Sequence, residues 1–283
     1  MQRLSSFFST IRSMIQRGRA STLAPLLLVA VVNALSYGTI IPLLYPYAQR
    51  YGLTAVGLGA LFASFSFFQF LATPVMGRLS DKYGRKPLLT LSLLGTAFSL
   101  GLFALANSIP LLFLARILDG ITGGNVSVAQ AVIADVTEGE ERDKSFGLIG
   151  AAFGFGFLMG PALGGFLSGI AVTLPFWVAA GIALLAAGIT QLVLPETLSE
   201  EQREQHAHDG KPLFDFKSMA TALSWPVIGK VLLASFAIST AHNLLVVGFN
   251  AYAVDVFKMD EQMLGALFTG LGLVTLLMQA FGI

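Results

Sequence analysis

The sequence predicts an all-α membrane protein built as a bundle of transmembrane helices, and three observations carry that expectation. Hydrophobic residues make up 55% of the 283 positions, charged residues only 12%, and the mean hydropathy is +0.75. Ordinary soluble domains carry about 25% charged residues, so this chain holds too little charge to cover a folded surface in water, and lipid must form part of its solvent. Second, the apolar residues fall into runs long enough to cross a hydrocarbon core, which takes roughly 20 residues of helix. Third, the basic residues collect in alternate connections between those runs.

In order, the runs are Ala24–Pro46, Val56–Met76, Leu88–Asn107, Ile109–Ala134, Phe146–Gly169, Ala171–Leu194, Val231–Val254 and Met263–Ile283. A soluble amphipathic helix interrupts such a run with a polar stripe; these have none. The segments before the first run and after the second, fourth and sixth hold fourteen of the seventeen Lys and Arg. The opposite connections hold Arg50 and Lys258, and Arg116 lies inside a run. The positive-inside rule then predicts a multi-pass cell-membrane protein with its N-terminus and its long sixth-to-seventh connection in the cytoplasm.

The chain divides into a basic leader (1–22), a six-helix bundle (23–194), a cytoplasmic linker (195–226) and the start of a second bundle (227–283). The leader has four Arg, no acid, and apolar Leu4, Phe7, Phe8, Ile11, Met14 and Ile15 at helical spacing, which suits a helix lying along the inner membrane surface. The linker is rich in Glu and carries His206 and His208, a composition that reads as a solvated segment rather than a metal site.

Several function classes fall away. A net charge of +1 gives nucleic acid nothing to bind. Without cysteine there are no disulfides, zinc–thiolate sites, iron–sulfur clusters or thiol nucleophiles. No nucleophile–base pairing, phosphate-binding loop or metal-ligand cluster falls in a run, so neither an enzyme nor a metal or organic cofactor is expected; the partners expected are membrane lipid and a small molecule.

The runs themselves carry polar and glycine motifs. Between the second and third stands Gly77-x-Leu79-x-Asp81-x-x-Gly84-Arg85-Lys86; its glycines permit a tight turn, and Asp81 is placed to accept the free N–H groups at the start of the third helix or to pair with the nearby cations. The fourth holds Arg116 and Asp119, three residues apart and therefore on one helix face. Charges in hydrocarbon are costly, so these two are functional candidates. The fifth is lined by Gly150, Gly154, Gly156, Gly160, Gly164 and Gly165 with Pro161 among them, which suits close helix packing and a bend. Asn33, Gln69, Gln130, His242 and Asn243 are polar residues in otherwise apolar runs and are candidates to line a cavity. Most of Phe62, Phe65, Phe67, Phe68 and Phe70 are expected to face lipid, with one or two available to a cavity.

These motifs resemble those of the major facilitator superfamily, and in particular its drug:proton antiporter branch of the tetracycline-efflux type. The Gly77–Lys86 stretch resembles the superfamily's loop signature, Arg116-x-x-x-Gly120 running to Ile133-Ala-Asp135 is similar to its fourth-helix signature, and Gly156-x-x-x-Gly160-Pro161-x-x-Gly164-Gly165 resembles the fifth-helix signature associated with antiporters. Gly38-x-x-x-Pro42, Gln69 and Pro74 fit as well. The resemblance implies a major-facilitator-type helix bundle, here one complete six-helix half plus about two helices of the second. It also implies a secondary transporter that exports a small hydrophobic or amphipathic compound by alternating access, with the transmembrane proton gradient as its energy source.

By the same resemblance, the loop of Gly77, Asp81, Gly84, Arg85 and Lys86 would gate the cytoplasmic side. Arg116 would tune a proton-carrying carboxylate, and the fifth helix would pack on the eighth. Two departures accompany it. The branch carries an acid in the first helix where Asn33 stands, leaving Asp119 as the substitute. The family also has about twelve spans, which predicts that further helices come from a longer chain. A uniporter or importer on the same fold, and a non-transporting fragment, are the alternatives.

Overall fold

The computed structural model describes residues 20–208 and 216–281, and the leader helix expected before Ala20 lies outside them. Every regular element among the described residues is helical: α1 (Ala20–Gln49), α2 (Ala55–Tyr83), α3 (Arg85–Leu105), α4 (Ile109–Thr122), α5 (Asn125–Val136), α6 (Gly139–Ser168), α7 (Leu174–Val193), α8 (Glu200–His208), α9 (Phe216–Ser224), α10 (Ile228–Asp255) and α11 (Glu261–Phe281). Eight segments are long and apolar enough to span a membrane, with α4 and α5 together forming the fourth. Helices dominate because hydrocarbon offers no water to backbone N–H and C=O groups, and a helix satisfies them within one segment.

Three boundaries differ from the sequence expectation. The fourth run is not one helix: Gly123 and Gly124 form a turn between α4 and α5, and the Gln69 amide donates to the Gly123 carbonyl (3.1 Å) that the helix leaves free. A side chain on Gly124 would come within 2.8 Å of Met76 Cβ, so close packing against α2 also fixes the break. The fifth helix starts seven residues before its apolar run, at Gly139, with Glu140 and Glu141 in its first turn, where carboxylates complement the helix dipole. The linker contains the helices α8 and α9, while residues 209–215 of it lie outside the described residues.

Packing centres on α1, whose most extensive interface is with α6; α6 in turn packs on α11, α3 on α7, and α2 on α4. Lipid supplies no hydrophobic drive between helices, so close approach rests on small residues. At the α1–α6 crossing, a Cβ on Gly160 would sit 2.7 Å from the Leu35 carbonyl oxygen and 2.9 Å from Gly38 Cα; one on Gly156 would sit 2.6 Å from the Val31 carbonyl oxygen. Thr39 Oγ1 donates to the Gly160 carbonyl (3.2 Å) at the same crossing. At the α6–α11 crossing, a Cβ on Gly165 would meet Gly265 Cα at 2.9 Å. Pro161 is accommodated inside α6, which runs unbroken from Gly139 to Ser168.

Two apolar clusters result. One, near the end bearing the basic loops, includes Leu26, Val29, Leu89, Leu93, Val132 and Ala186. The other, toward the opposite end, includes Leu43, Leu44, Tyr45, Phe103, Leu112 and Phe176. Arg116 and Asp119, both buried, lie between them. The Tyr47 hydroxyl donates to the carbonyls of Phe103 (3.0 Å) and Ala106 (2.8 Å), and that of Tyr51 also donates to Ala106 (2.8 Å), satisfying the end of α3.

Gly160→Ala places a methyl against the α1 backbone, which cannot yield as a side chain end can, and is expected to destabilise the bundle by roughly 1–3 kcal/mol. Gly150→Ala, with nothing within 4 Å of its Cβ, is expected to be neutral or slightly stabilising. Thermal unfolding in detergent distinguishes the two, and equal behaviour would refute the packing account.

Candidate functional site

Between the two apolar clusters, α1 to α5 place a polar group in the membrane interior. Arg116 on α4 is fully buried, and its Nη1 reaches Asp119 Oδ2 at 3.2 Å. Asp119 Oδ1 accepts from the Ser99 hydroxyl of α3 (3.2 Å). The guanidinium carbon of Arg116 lies 4.1 Å from the ring centroid of Phe65 and 5.5 Å from that of Phe62, so two of the five aromatics turn inward and form a cation–π bed for a charge. Phe67 and Phe70, from the same helix, are exposed as expected. Arg116 Nε and Nη2 have no hydrogen-bond partner. An arginine so placed is compensated by one carboxylate and two ring faces alone, which makes Asp119 indispensable to it.

Asn33, expected as a site residue from its place in the first span, lies in the same region. Its amide donates to Asn125 Oδ1 of α5. Together with Ser36, Tyr37, Phe65, Gln69, Thr96, Asp119 and Gly123 it lines a void of about 10 Å³, at the lower limit of what holds one water molecule. Asn33 and Asp119 therefore face one small polar cavity from α1 and α4. Asn125 and Tyr37 were not singled out in the sequence, because which way a residue of an apolar helix faces depends on packing against helices distant in sequence.

A second, larger cavity of about 520 Å³ lies where α1 and α6 meet α10 and α11. Its walls include Phe153, Phe157, Pro161, His242, Phe268 and Thr275. Such a volume is in the usual range for small-molecule sites, roughly 300–1,000 Å³. His242 is thus placed on a cavity, and Asn243 accepts from the Tyr37 hydroxyl at 3.4 Å. Gln130 is exposed on α5 and lines neither cavity.

The loop between α2 and α3 forms a charge cluster. Arg85 Nη1 contacts Asp81 Oδ1 at 2.5 Å, and its Nε contacts Asp135 Oδ2 at 3.1 Å. Its Nη1 also donates to the Ser80 hydroxyl (2.7 Å). The free N–H groups at the start of α3 go not to Asp81, as its position before the helix suggested, but to Glu196: Oε1 accepts from Arg85 N (2.9 Å) and Oε2 from Lys86 N (3.3 Å). The reason is that α2 continues through Asp81 to Tyr83, which places Asp81 one turn back, beside the Arg85 side chain and not over the helix end. Gly84 makes the corner with φ +107, and a Cβ there would crowd the Glu196 carboxylate. Glu196 is far away in sequence, in a segment that reads only as solvated linker.

At the end of the bundle opposite the basic loops, α1 is tied to α10 and α11. The Tyr45 hydroxyl donates to Asp255 Oδ2 (2.9 Å), the Gln49 amide to Asp255 Oδ1 (2.7 Å), and Arg50 Nη2 to Glu261 Oε1 (2.7 Å). Just inside this layer, the Asn250 amide donates to the Ile41 carbonyl (2.6 Å), and both groups are buried. Along its other half, from Val231 to Leu244, α10 is exposed.

Comparison with known proteins agrees with this architecture. The family model described as Major Facilitator Superfamily matches residues 26–283. The chain is 32% identical over 256 residues to the class E tetracycline resistance protein of Escherichia coli, covering 89% of this chain and 63% of that protein. It is 30% identical over 252 residues to multidrug resistance protein 2 of Bacillus subtilis (strain 168), covering 88% and 62%. The chain thus spans somewhat under two thirds of the length of these relatives. Among solved structures, the human organic anion transporter MFSD10 (TETRAN) superposes with a TM-score of 0.71 at 23% identity over 92% of this chain and 71% of that one. A bacterial homologue of the human lysosomal transporter Spinster, in an inward-facing and unoccupied conformation, superposes with a TM-score of 0.73 at 18% identity over 94% and 61%. At these identities the structures speak for the fold alone. With a family model matched over nearly its whole length, and with membrane-length helices in the arrangement just described, this multi-pass membrane chain belongs to the Major Facilitator Superfamily.

Proposed function

We propose that the chain forms part of a secondary transporter that exports a small hydrophobic or amphipathic compound by alternating access, driven by inward proton movement. The observation that carries this reading is the buried Arg116–Asp119 pair on the wall of a polar void, one helix layer from a cavity of about 520 Å³. A titratable group held in hydrocarbon at the cost of an ion pair suits a proton relay. The names of the relatives, tetracycline and multidrug resistance proteins, support export and an aromatic or amphipathic substrate.

In this reading Asp119 carries the proton that an acid at position 33 would carry elsewhere in the branch. Arg116 stabilises its ionised form, and the large cavity, with Phe153, Phe157 and Phe268 for contact and His242 as a polar partner, receives the substrate. The ties from Tyr45, Gln49 and Arg50 to Asp255 and Glu261, in this reading, hold the outer end closed, and the conformation is an inward-open one. The Asp81–Arg85–Asp135–Glu196 cluster belongs to the inner gate, which closes when the outer ties break. On the same reading the N-terminus is cytoplasmic and the membrane is the cell membrane. Asn33 favours one other reading, a uniporter or importer with no proton carrier; flux indifferent to a pH gradient would select it.

Asp119→Asn keeps the shape and the hydrogen bond to Ser99 but cannot exchange a proton. Flux of tetracycline driven by a pH gradient into vesicles is expected to fall at least tenfold, about 1.4 kcal/mol. Transport at the parent rate with unchanged pH dependence would exclude Asp119 as the carrier. Arg116→Ala, which strands Asp119, is expected to cost stability as well, by roughly 3–5 kcal/mol.

The outer ties predict a conformational effect. Individual exposed pairs contribute about 0.2–1 kcal/mol each, so Arg50→Ala combined with Asp255→Asn is expected to shift the population about fivefold toward an outward-open form. Because the sequence has no cysteine, one introduced at Phe268 reports this alone, through its reaction rate with a membrane-impermeant maleimide added from outside. An unchanged rate would remove the ties from the gate.

A further inference from the structure

Tyr37 stands where the two cavities meet. It lines the small polar void with Asn33, Gln69, Thr96 and Asp119. Its ring meets Phe157 edge-on, with centroids 5.8 Å apart and planes at 75°, and Phe157 lines the large cavity. On another side it packs against Phe65 (6.0 Å), the same ring that carries the Arg116 guanidinium at 4.1 Å. Its hydroxyl donates across the bundle to Asn243 of α10 at 3.4 Å, one residue from the cavity-lining His242.

Three other polar residues at the void are tied within the first four spans, while the buried Ser36 hydroxyl has no hydrogen-bond partner. Asn33 is bound to Asn125, Gln69 to the Gly123 carbonyl, and Asp119 to Arg116 and Ser99. Among the described residues lining the small void, Tyr37 alone has a hydrogen bond to spans seven and eight. That bond is long for an O–H donor, whose usual distance is about 2.7–2.8 Å. It is therefore a contact that can be made or lost at small cost when α10 shifts or the cavity fills.

We propose that Tyr37 is the positioning residue that couples occupancy of the large cavity to protonation of Asp119; this rests on the proton-coupled reading above. An aromatic ligand against Phe157 displaces the Tyr37 ring, the hydroxyl leaves Asn243, and the small void opens from a one-water space to the solvated cavity. Water then reaches the carboxyl group, and from the protonated form of Asp119 the proton leaves the carboxyl oxygen for that water, restoring the carboxylate that is paired with Arg116 in the structure. The groups facing Asp119 are Arg116 on its own helix, Asn33, Ser36 and Tyr37 from α1, Phe65 and Gln69 from α2, and Thr96 and Ser99 from α3. Of these only Arg116 and Tyr37 are titratable, and Arg116 is the one charge.

The test is substrate-induced proton release. The full chain is held in weakly buffered detergent near pH 7, tetracycline or ethidium is added, and protons released per probe bound are measured with a pH dye. By linkage the same coupling appears as a pH dependence of probe affinity, and coupling energies of this kind change affinities about 5- to 150-fold. The parent is expected to release protons and Asp119→Asn none. Tyr37→Phe, which keeps the ring and loses only the hydroxyl, is expected to bind the probe but release at least about fivefold fewer protons, with its affinity flat across pH. Asn243→Leu removes the same bond from the other side and is expected to show the same loss per probe bound, should Tyr37→Phe fold poorly. If Asp119→Asn releases protons like the parent, or the parent binds neither probe or releases none, the proton-coupled reading falls and Tyr37 with it. If Asp119→Asn is silent while Tyr37→Phe and Asn243→Leu match the parent, the role of Tyr37 alone is overturned.

Discussion

The near-contact of two backbones, Gly38 on α1 and Gly160 on α6, is the constraint on which the rest of the bundle depends. With no side chain at either position the helices approach until a Cβ on Gly160 would lie 2.9 Å from Gly38 Cα. Hydrocarbon rewards such an approach only through dispersion and local hydrogen bonding, since apolar residues gain nothing by leaving lipid for protein. Glycine-lined faces therefore set which helices touch. Because α1 lies against α6, and α6 against α11 through Gly165 and Gly265, α1 is carried into reach of α10. Its polar residues then meet both the first five spans and the last two.

Burial of Arg116 follows from the same geometry. At its level the bundle has a gap between two apolar clusters, and the guanidinium fills it against Phe62 and Phe65 with Asp119 as its counter-charge. A buried pair of this kind gives little net stability, because the desolvation of both charges offsets most of their attraction. Its retention in a membrane interior is better understood through what an ionisable group can do there. Polar contacts at the two ends differ in kind. At one end Arg85, Asp81, Asp135 and Glu196 tie the ends of the second, third and fourth spans to one another and to the segment after the sixth. At the other, Tyr45, Gln49 and Arg50 tie the first span to the seventh and eighth.

The fold was legible because the membrane imposes a simple code. Length and hydropathy fix the spans, and the description of eight membrane-length segments follows the apolar runs closely. Where the reading missed, local chemistry overrode the average. Gly123 and Gly124 break the fourth span although its hydropathy is continuous, and Glu140 and Glu141 extend the fifth helix beyond its apolar run. For the site, the Arg116–Asp119 pairing was legible because three residues apart on a helix is a statement about space. The capping of α3 was not, since Glu196 lies 111 positions from Arg85 and nothing in a Glu-rich linker distinguishes the one carboxylate that reaches a helix end.

By itself, the sequence determined that this chain lives in lipid, how many times it crosses, which connections share a side, and that a charge pair sits on the fourth helix. Each of these depends on properties that are summed along the chain or repeat at helical spacing. Only the tertiary structure decided that Asn33 and Asp119 face one small void, that Phe62 and Phe65 turn inward to a cation, and that Tyr37 reaches from that void to α10. Those relations depend on the rotation and depth of separate helices, which are set by where glycines let backbones approach, and no local pattern in a uniformly apolar helix records which way it turns.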